Sequence, residues 1–274
     1  MTWFHDIVTS HGWYQLAPFR YEGGALERLH TLPDGHASHV TICAEGEALR
    51  WSASEPVADP TAIDQAVRRM FSLDWNLEPF HALLRQHPRY AGRVQPTWGR
   101  LLVAPTVWED LVKTLLTTNT TWAQTRQMTA RVCAFGTPYD GGHTFPTPQQ
   151  IAAVPFDDFA ARARLGYRAA ALHELARRIC DGLDVEAWRA LDSDALYQQV
   201  RGLRGFGDYA AGTVLRLLGH FDRLAIDTEC RAAFRRVTGR AAFTDADIRA
   251  YYADFGAWQG LMSWIDIMHS EENT

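Results

Sequence analysis

Apolar and polar residues alternate in the first part of the chain, as they do in a strand with one buried face. Two such runs, residues 39–43 and 48–52, flank the sequence Glu45-Gly46-Glu47. A glycine between two alternating runs is typical of a hairpin turn. An earlier strand is predicted through Phe19, Tyr21 and Leu26. The pattern therefore predicts a small antiparallel sheet in this region.

Helical spacing replaces the alternation after Pro56 and Pro60, which mark a linker. Residues 61–71 would form a helix with Ile63, Val67 and Met70 on one face. Helical spacing then continues, interrupted by proline and glycine. Further helices are predicted near residues 80–84, after Thr106, and at 122–135, 149–154, 169–180, 184–200, 246–252 and 260–268. We therefore predict a mostly α protein with an N-terminal antiparallel β lobe at residues 1–60 and an all-helical region at 61–274.

Composition is that of an ordinary globular protein, since 47% of the 274 residues are hydrophobic and 22% are charged. No signal peptide or apolar segment of membrane-spanning length is expected. The four cysteines are widely scattered, which predicts neither a disulfide framework nor a metal site and favours a reducing cytoplasm.

The net charge of −5 argues weakly against nucleic-acid binding, but the charge is unevenly distributed along the chain. Residues 160–240 contain 14 arginines against ten acidic residues, whereas residues 241–274 contain one arginine against six. A local basic surface is compatible with nucleic-acid binding even when the whole chain is acidic.

Candidate chemistry is concentrated in residues 203–234. A glycine turn with Gly205 and Gly207 precedes an apolar helix, and a short apolar run then ends at Asp227. Glycines let backbone N–H groups approach an anion, and a following helix adds the positive end of its dipole. This arrangement predicts a phosphate site and a carboxylate held at a fixed distance from it.

The same stretch resembles the helix-hairpin-helix and Gly/Pro…Asp signature of the DNA glycosylase superfamily. Leu203-Arg204-Gly205-Phe206-Gly207 resembles the hairpin, at about residues 196–218, and Leu224-Ala225-Ile226-Asp227 resembles the run that ends in the catalytic aspartate. Within the superfamily, the chain is most similar to bacterial 3-methyladenine DNA glycosylase II and its relatives, with similarity to 8-oxoguanine glycosylase. Two departures are Arg204 in place of the hairpin proline and Tyr209 in place of the lysine of bifunctional members.

The resemblance implies that Asp227 is catalytic, by stabilising positive charge on the deoxyribose and orienting the attacking water. An aspartate before a helix is also a common N-cap, and the two roles are compatible. Tyr209 cannot form an imine with the sugar, so no lyase activity is expected. Tyr209 and Thr213 would line the base pocket or simply pack. Trp258 and Trp264 would add aromatic walls, although at least one of them is expected to pack in the core.

The resemblance also implies contacts with DNA and an ion. Backbone amides of Leu203, Gly205 and Gly207 would hold a phosphate, and carbonyls of Arg201, Leu203 and Phe206 would hold a structural Na⁺ or K⁺. No cofactor is expected to be required, and the scattered cysteines exclude the iron–sulfur loop of some relatives. The loop at residues 117–121, with Asn119 and Thr120, would enter the duplex or merely end a helix, and Arg168 would contact DNA or remain a solvated charge.

The leading hypothesis is a monomeric, monofunctional DNA glycosylase of the bacterial cytoplasm and nucleoid, acting on duplex DNA that contains a modified base. Alkylated purines of the 3-methyladenine type are the favoured substrates, because their positive charge assists departure of the base. Alternatives are the same chemistry on 8-oxoguanine or a bulky modified cytosine, and a non-catalytic hairpin DNA-binding protein, against which Asp227 counts.

Overall fold

A four-stranded antiparallel sheet, in the order β1-β2-β3-β4, forms the N-terminal part of the protein. The computed structural model describes residues 3–32 and 34–269. The strands are β1 (Phe19–Glu22), β2 (Ala25–Thr31), β3 (Ala37–Glu45) and β4 (Ala48–Ala53). The predicted hairpin is confirmed, because Glu45 pairs with Ala48 around Gly46, whose φ is 62°.

The single earlier strand predicted through Phe19, Tyr21 and Leu26 is wrong, since these residues lie on two strands. Glu22 pairs with Ala25, and the turn between them is Gly23-Gly24, with φ values of 60° and 82°. Two successive left-handed residues reverse the chain without a steric penalty only when they are glycine. The sheet therefore has one strand more than the sequence pattern predicted.

Helices make up most of the remaining chain, which confirms the predicted fold class. They are α1 (Trp3–Val8), α2 (Pro60–Met70), α3 (Glu78–Gln86), α4 (Val107–Thr117), α5 (Trp122–Cys133), α6 (Pro148–Ala152), α7 (Phe156–Ala163), α8 (Arg168–Cys180), α9 (Ser193–Arg201), α10 (Asp208–Leu217), α11 (Thr228–Thr238), α12 (Asp245–Ala253) and α13 (Gln259–His269). Short 3₁₀ helices occur at Gly12–Gln15, Glu186–Ala190 and Gly256–Trp258.

Local signals account for several helix boundaries. Thr106 caps α4 by accepting a hydrogen bond from the Glu109 N–H, as its sequence position predicted. The prediction that residues 61–274 are all-helical is wrong at one point, because β5 (Pro138–Tyr139) pairs with β6 (Gly142–His143). Asp140 and Gly141 turn this ribbon with φ values of 44° and 76°. Aspartate and glycine tolerate that conformation better than other residues.

The described chain has two compact units. One contains Met1–Leu73, Leu101–Arg189 and Leu203–Gly205, and the other contains Asp74–Arg100, Ala190–Gly202 and Phe206–Thr274. The first unit groups the sheet with helices that follow residue 60, so the units do not follow the predicted division at that residue. A buried ionic cluster joins sheet and helix there, since Arg28 of β2 and Lys113 of α4 both bind Glu109, at 3.0 and 2.7 Å.

The second unit is built around an aromatic and aliphatic core. Its buried members include Phe80, Tyr90, Phe234 and Tyr252, with Phe221 and Leu224 on the segment that leads to Asp227. Packing of that segment fixes the approach to the candidate carboxylate. Among the described residues, no helix is long and apolar enough to cross a membrane.

Candidate active site

The hairpin turn depends on one glycine for its shape. Gly205 has a φ of 86°, and a Cβ there would lie 2.9 Å from Leu115 Cδ1 and 3.4 Å from Ala171 Cβ. Both the left-handed conformation and the close approach of α4 and α8 therefore require glycine. This glycine is structural, whatever its amide binds. The side chain of Leu203, two residues earlier, is buried.

Gly207 differs, because neither its conformation nor its packing requires glycine. It is the N-cap of α10 with φ −84° and ψ −173°, and a Cβ there would have no atom within 4 Å. The first N–H groups of a helix lack intrahelical partners, and the helix dipole favours an anion at this end. Open space beside Gly207 thus suits the phosphate contact predicted for its amide.

The carbonyl oxygen of Phe206, predicted to bind a monovalent cation, accepts a hydrogen bond from Arg201. The distance from Arg201 Nη1 to that oxygen is 2.8 Å, and Arg201 Nε lies 3.1 Å from Asp208 Oδ1. Arg201 therefore already occupies one acceptor position of this oxygen, and its charge is balanced by Asp208. The monovalent cation at the hairpin carbonyls stays a prediction. Among the residues described, no group of three or more His, Cys, Asp or Glu could hold a metal.

Asp227 is the N-cap of α11, as its position before Thr228 suggested. Its Oδ1 accepts a hydrogen bond from the Cys230 N–H at 2.8 Å, and the residue is half-buried. Within the described chain, no hydrogen bond to Oδ2 occurs. The cap thus orients the carboxylate and leaves one oxygen for another group.

Two glycines hold the segment that delivers Asp227. A Cβ on Gly212 of α10 would lie 2.5 Å from the Leu224 carbonyl oxygen, and one on Gly260 of α13 would collide with the Arg223 carbonyl oxygen. The Gly260 N–H also donates to the Phe221 carbonyl at 2.6 Å. Backbone therefore packs on backbone from both sides, so that the distance from α10 to Asp227 has little freedom.

One face of α10 carries three polar side chains, of which Arg216 lies near this carboxylate. Tyr209, Thr213 and Arg216 are spaced four and three residues apart, which aligns them on a helix. Thr213 and Arg216 are 5% and 6% exposed, and Thr213 Oγ1 has no hydrogen-bond partner among the residues described. Burial lowers the pKa of the Arg216 guanidinium, while nearby Tyr209, Asp227 and Cys230 act to raise it.

The two tryptophans predicted as pocket walls have different surroundings. Trp264 lies under Arg216, whose guanidinium carbon is 4.3 Å from the centre of a Trp264 ring. Trp258 is partly buried and packs between Phe221 and Phe80, with ring centres 5.5 and 5.4 Å away, against the core of its unit. The structure thus associates Trp264 with the α10 face and gives Trp258 a packing role.

The loop predicted to enter DNA lies in the first unit. Asn119 is exposed with φ 46°, its Nδ2 lies 3.3 Å from the Tyr167 hydroxyl, and Thr120 Oγ1 donates to Gln124 Oε1 at 2.9 Å. Asparagine is among the few residues that tolerate a left-handed conformation. Tyr167 is 55% exposed. An exposed polar tip beside an exposed ring suits insertion into a base stack.

Arg168 supports this loop from behind. It is buried, its Nη2 donates to the carbonyl oxygens of Thr118 and Asn119, and its guanidinium lies over the Tyr167 ring at 4.5 Å. The direct DNA contact predicted for Arg168 is therefore replaced by a positioning role, because its donors bind the loop backbone.

Sequence reasoning missed two residues of these sites, Arg216 and Tyr167. Arg216 interrupts an apolar run seven residues after Tyr209, a spacing that could have indicated a shared face. Tyr167 follows Gly166 and directly precedes Arg168, and nothing in this short stretch of sequence indicates that its side chain is exposed.

Lys113, the only lysine in the chain, is 0% exposed. Its ammonium is paired with Glu109 at 2.7 Å and lies 4.4 Å from the centre of the Phe19 ring. Burial lowers its pKa, which Glu109 opposes. This ion pair therefore holds the Lys113 amine in the interior of the first unit.

Comparisons with known proteins bear on these sites. The sequence profile of the HhH-GPD superfamily, described as base excision DNA repair proteins, matches residues 112–258. A search of curated protein sequences finds no match.

Two solved structures have similar folds. The 3-methyladenine DNA-glycosylase from Archaeoglobus fulgidus has a TM-score of 0.78 at 17% identity, covering 99% of this chain and 96% of that one. The Clostridium acetobutylicum 8-oxoguanine glycosylase/lyase, in complex with duplex DNA containing cytosine opposite 8-oxoguanine, has a TM-score of 0.71 at 16% identity, covering 97% and 93%. At these identities the likeness is one of fold.

Proposed function

Because the chain belongs to the HhH-GPD superfamily of base excision DNA repair proteins, we propose that it is a monofunctional DNA glycosylase. It extrudes a modified base from duplex DNA, hydrolyses the N-glycosidic bond and leaves an abasic site. The observation that carries this proposal is the half-buried Asp227 carboxylate, capped through Oδ1 and held by backbone contact against α10.

Asp227 acts on the sugar as the base departs. Breaking an N-glycosidic bond develops positive charge on the deoxyribose, as in other glycoside hydrolyses. A carboxylate fixed nearby stabilises that charge without reorganising, and its Oδ2 can orient or deprotonate the attacking water. The Cys230 N–H keeps Oδ1 in place during this step.

DNA is held by backbone amides rather than by basic side chains. The N-terminus of α10 at Gly207 offers unpaired N–H groups and open space to a phosphate oxygen. In our proposal a monovalent cation bound at the hairpin would share the Phe206 carbonyl with Arg201. In the first unit, Asn119 and Tyr167 fill the gap left by the extruded nucleotide, which offsets part of the lost stacking energy.

The absence of lyase activity is part of this proposal. An imine with the sugar requires an uncharged amine within reach, but Tyr209 is a phenol and Lys113 is fully buried in an ion pair. Strand breaks should therefore appear only after the product is treated with alkali. Breaks without alkali, together with covalent trapping by borohydride, would contradict this part.

Asp227→Asn tests the chemistry directly. The neutral amide keeps the cap acceptor but loses the charge, so base release should fall by about 10²–10³-fold. Binding to a duplex that contains a stable abasic-site analogue should change little. Release from duplexes carrying modified bases is measured by chromatography of the free base. Unchanged release by the variant would remove Asp227 from the mechanism.

Two substrate classes are compatible with this chemistry. One is the cationic alkylated purines expected from the sequence, and the other is uncharged modified bases such as 8-oxoguanine or a bulky modified cytosine. The panel used for the Asp227 test should include both classes.

A further inference from the structure

The α10 face carries a buried positive charge that the glycosidic chemistry does not use. Arg216 is 6% exposed and lies over the Trp264 ring at 4.3 Å. Within residues 3–32 and 34–269, its guanidinium takes part in no hydrogen bond or ion pair. Buried arginine is normally paired with a carboxylate or several carbonyls. Arg28 and Arg168, which bind Glu109 and loop carbonyls, show that pattern elsewhere in this chain.

A second polar group on the same face also lacks a partner. Thr213 Oγ1 is buried without a hydrogen bond in the described chain, one turn before Arg216. A buried donor without an acceptor destabilises a folded protein, so its presence needs an explanation, and a polar group that binds there only in the complex is one. Thr213 is such a group, and the Arg216 guanidinium on the same face lies near Tyr209 and Asp227, so this face suits a molecule that supplies acceptors.

The charge of Arg216 also limits which molecule can bind. A buried guanidinium repels a cation far more strongly than it would in water, because the surroundings screen it poorly. A cationic base would normally gain from stacking on tryptophan. Here the guanidinium already covers one face of that ring, so a cationic base placed beside it would meet a like charge.

We propose that Arg216 and Thr213 make this site selective for an uncharged modified base that presents hydrogen-bond acceptors, and that Arg216 excludes cationic N-alkylated purines. The inference rests on the proposed glycosylase function and names its substrate class. The guanidinium has five N–H donors in a planar fork, which suits a carbonyl oxygen or a carbonyl oxygen with a ring nitrogen. Thr213 adds a hydroxyl donor on the same side.

The experiment compares matched duplexes that carry 7-methylguanine as the cationic base and 8-oxoguanine, hypoxanthine or 5-hydroxymethylcytosine as uncharged ones. Single-turnover release rates are divided by the spontaneous rate for each base, because alkylated purines depart unaided. The wild-type protein should enhance release of at least one uncharged base by at least about tenfold more than that of 7-methylguanine.

Two variants separate charge from shape. Arg216→Met keeps the length of the side chain but removes charge and donors, so enhancement for the uncharged base should fall about tenfold or more while that for 7-methylguanine rises. Arg216→Lys keeps the charge and should still discriminate against 7-methylguanine. Thermal unfolding and binding to an abasic-site duplex establish that both variants are folded.

The alternative outcomes have distinct meanings. A wild-type preference for 7-methylguanine, or equal changes for both classes in Arg216→Met, would overturn this inference while leaving the glycosylase function intact. Release of no base at all by the wild-type protein would overturn the proposed function, and this inference with it.

Discussion

The distance between Asp227 and α10 can be altered by adding one methyl group. In Gly212→Ala, the new Cβ would lie 2.5 Å from the Leu224 carbonyl oxygen and 2.9 Å from the Leu224 carbonyl carbon. A comfortable C···O contact is about 3.3 Å, so the segment must move by about 0.8 Å. Leu224 is three residues before Asp227, and the shift should reach the carboxylate.

A displacement of this size is large for catalysis and moderate for stability. Misplacing a reacting group by about 1 Å can reduce a rate by about 10²-fold. Overpacking a well-packed region costs about 1–3 kcal/mol. Gly212→Ala should therefore remain folded at room temperature while its base-release rate falls by about 10–100-fold.

Gly202→Ala is a suitable control. Gly202 has a φ of −73°, and its added Cβ would lie 3.4 Å from the nearest oxygens, which is an ordinary contact. Single-turnover base release is measured for both variants at a temperature where urea unfolding establishes that each is native. If Gly212→Ala is folded and releases base at the wild-type rate, backbone contact with α10 does not set the position of Asp227.

Three further predictions concern the first unit. Burial and the charge of Arg28 lower the pKa of His30 from 6.5 to about 3. Because the unfolded chain then binds a proton that the native chain does not, the free energy of unfolding decreases as pH falls from 6.5 towards 3. Urea unfolding at pH 7 and pH 5 should give a loss of about 2 kcal/mol from this residue, absent in His30→Gln; an equal loss in both proteins would contradict the assignment. Arg168→Met should destabilise the fold by about 2–3 kcal/mol in urea titrations, because the loop carbonyls lose their hydrogen-bond donor. The variant should also show a weaker binding preference for lesion-containing over intact duplex. An unchanged preference would show that Arg168 does not organise the loop. Lys113→Met should cost about 3–5 kcal/mol by breaking the buried pair with Glu109, but leave the base-release rate of the remaining native protein unaltered; a selective loss of release would implicate Lys113 in chemistry.

Family membership and fold class were predictable because their signals are local. The hairpin glycine Gly205, the length of α10 and the apolar run before Asp227 are contiguous in the chain, and each follows from backbone geometry. The helix cap formed by Asp227 is equally local. Such features need no knowledge of which distant segments meet.

Roles that depend on burial were not predictable in this way. Arg168 looks like a solvated charge in sequence, but the carbonyl oxygens of Thr118 and Asn119, just after α4, accept its hydrogen bonds. Arg216 becomes significant only because Trp264, 48 residues later, lies beneath it. Trp258 and Trp264 have the same side chain, and only packing against Phe221 distinguishes the first from the second.

The bonds from Arg168 end on carbonyl oxygens, so they do not depend on which side chains the loop carries. The tip at Asn119 can therefore be exchanged, within residues that accept a positive φ, while its support persists. Asparagine, aspartate and glycine therefore form a natural substitution series at this position. The side chain at the tip can thus change while the hydrogen bonds from Arg168 to the loop backbone stay the same.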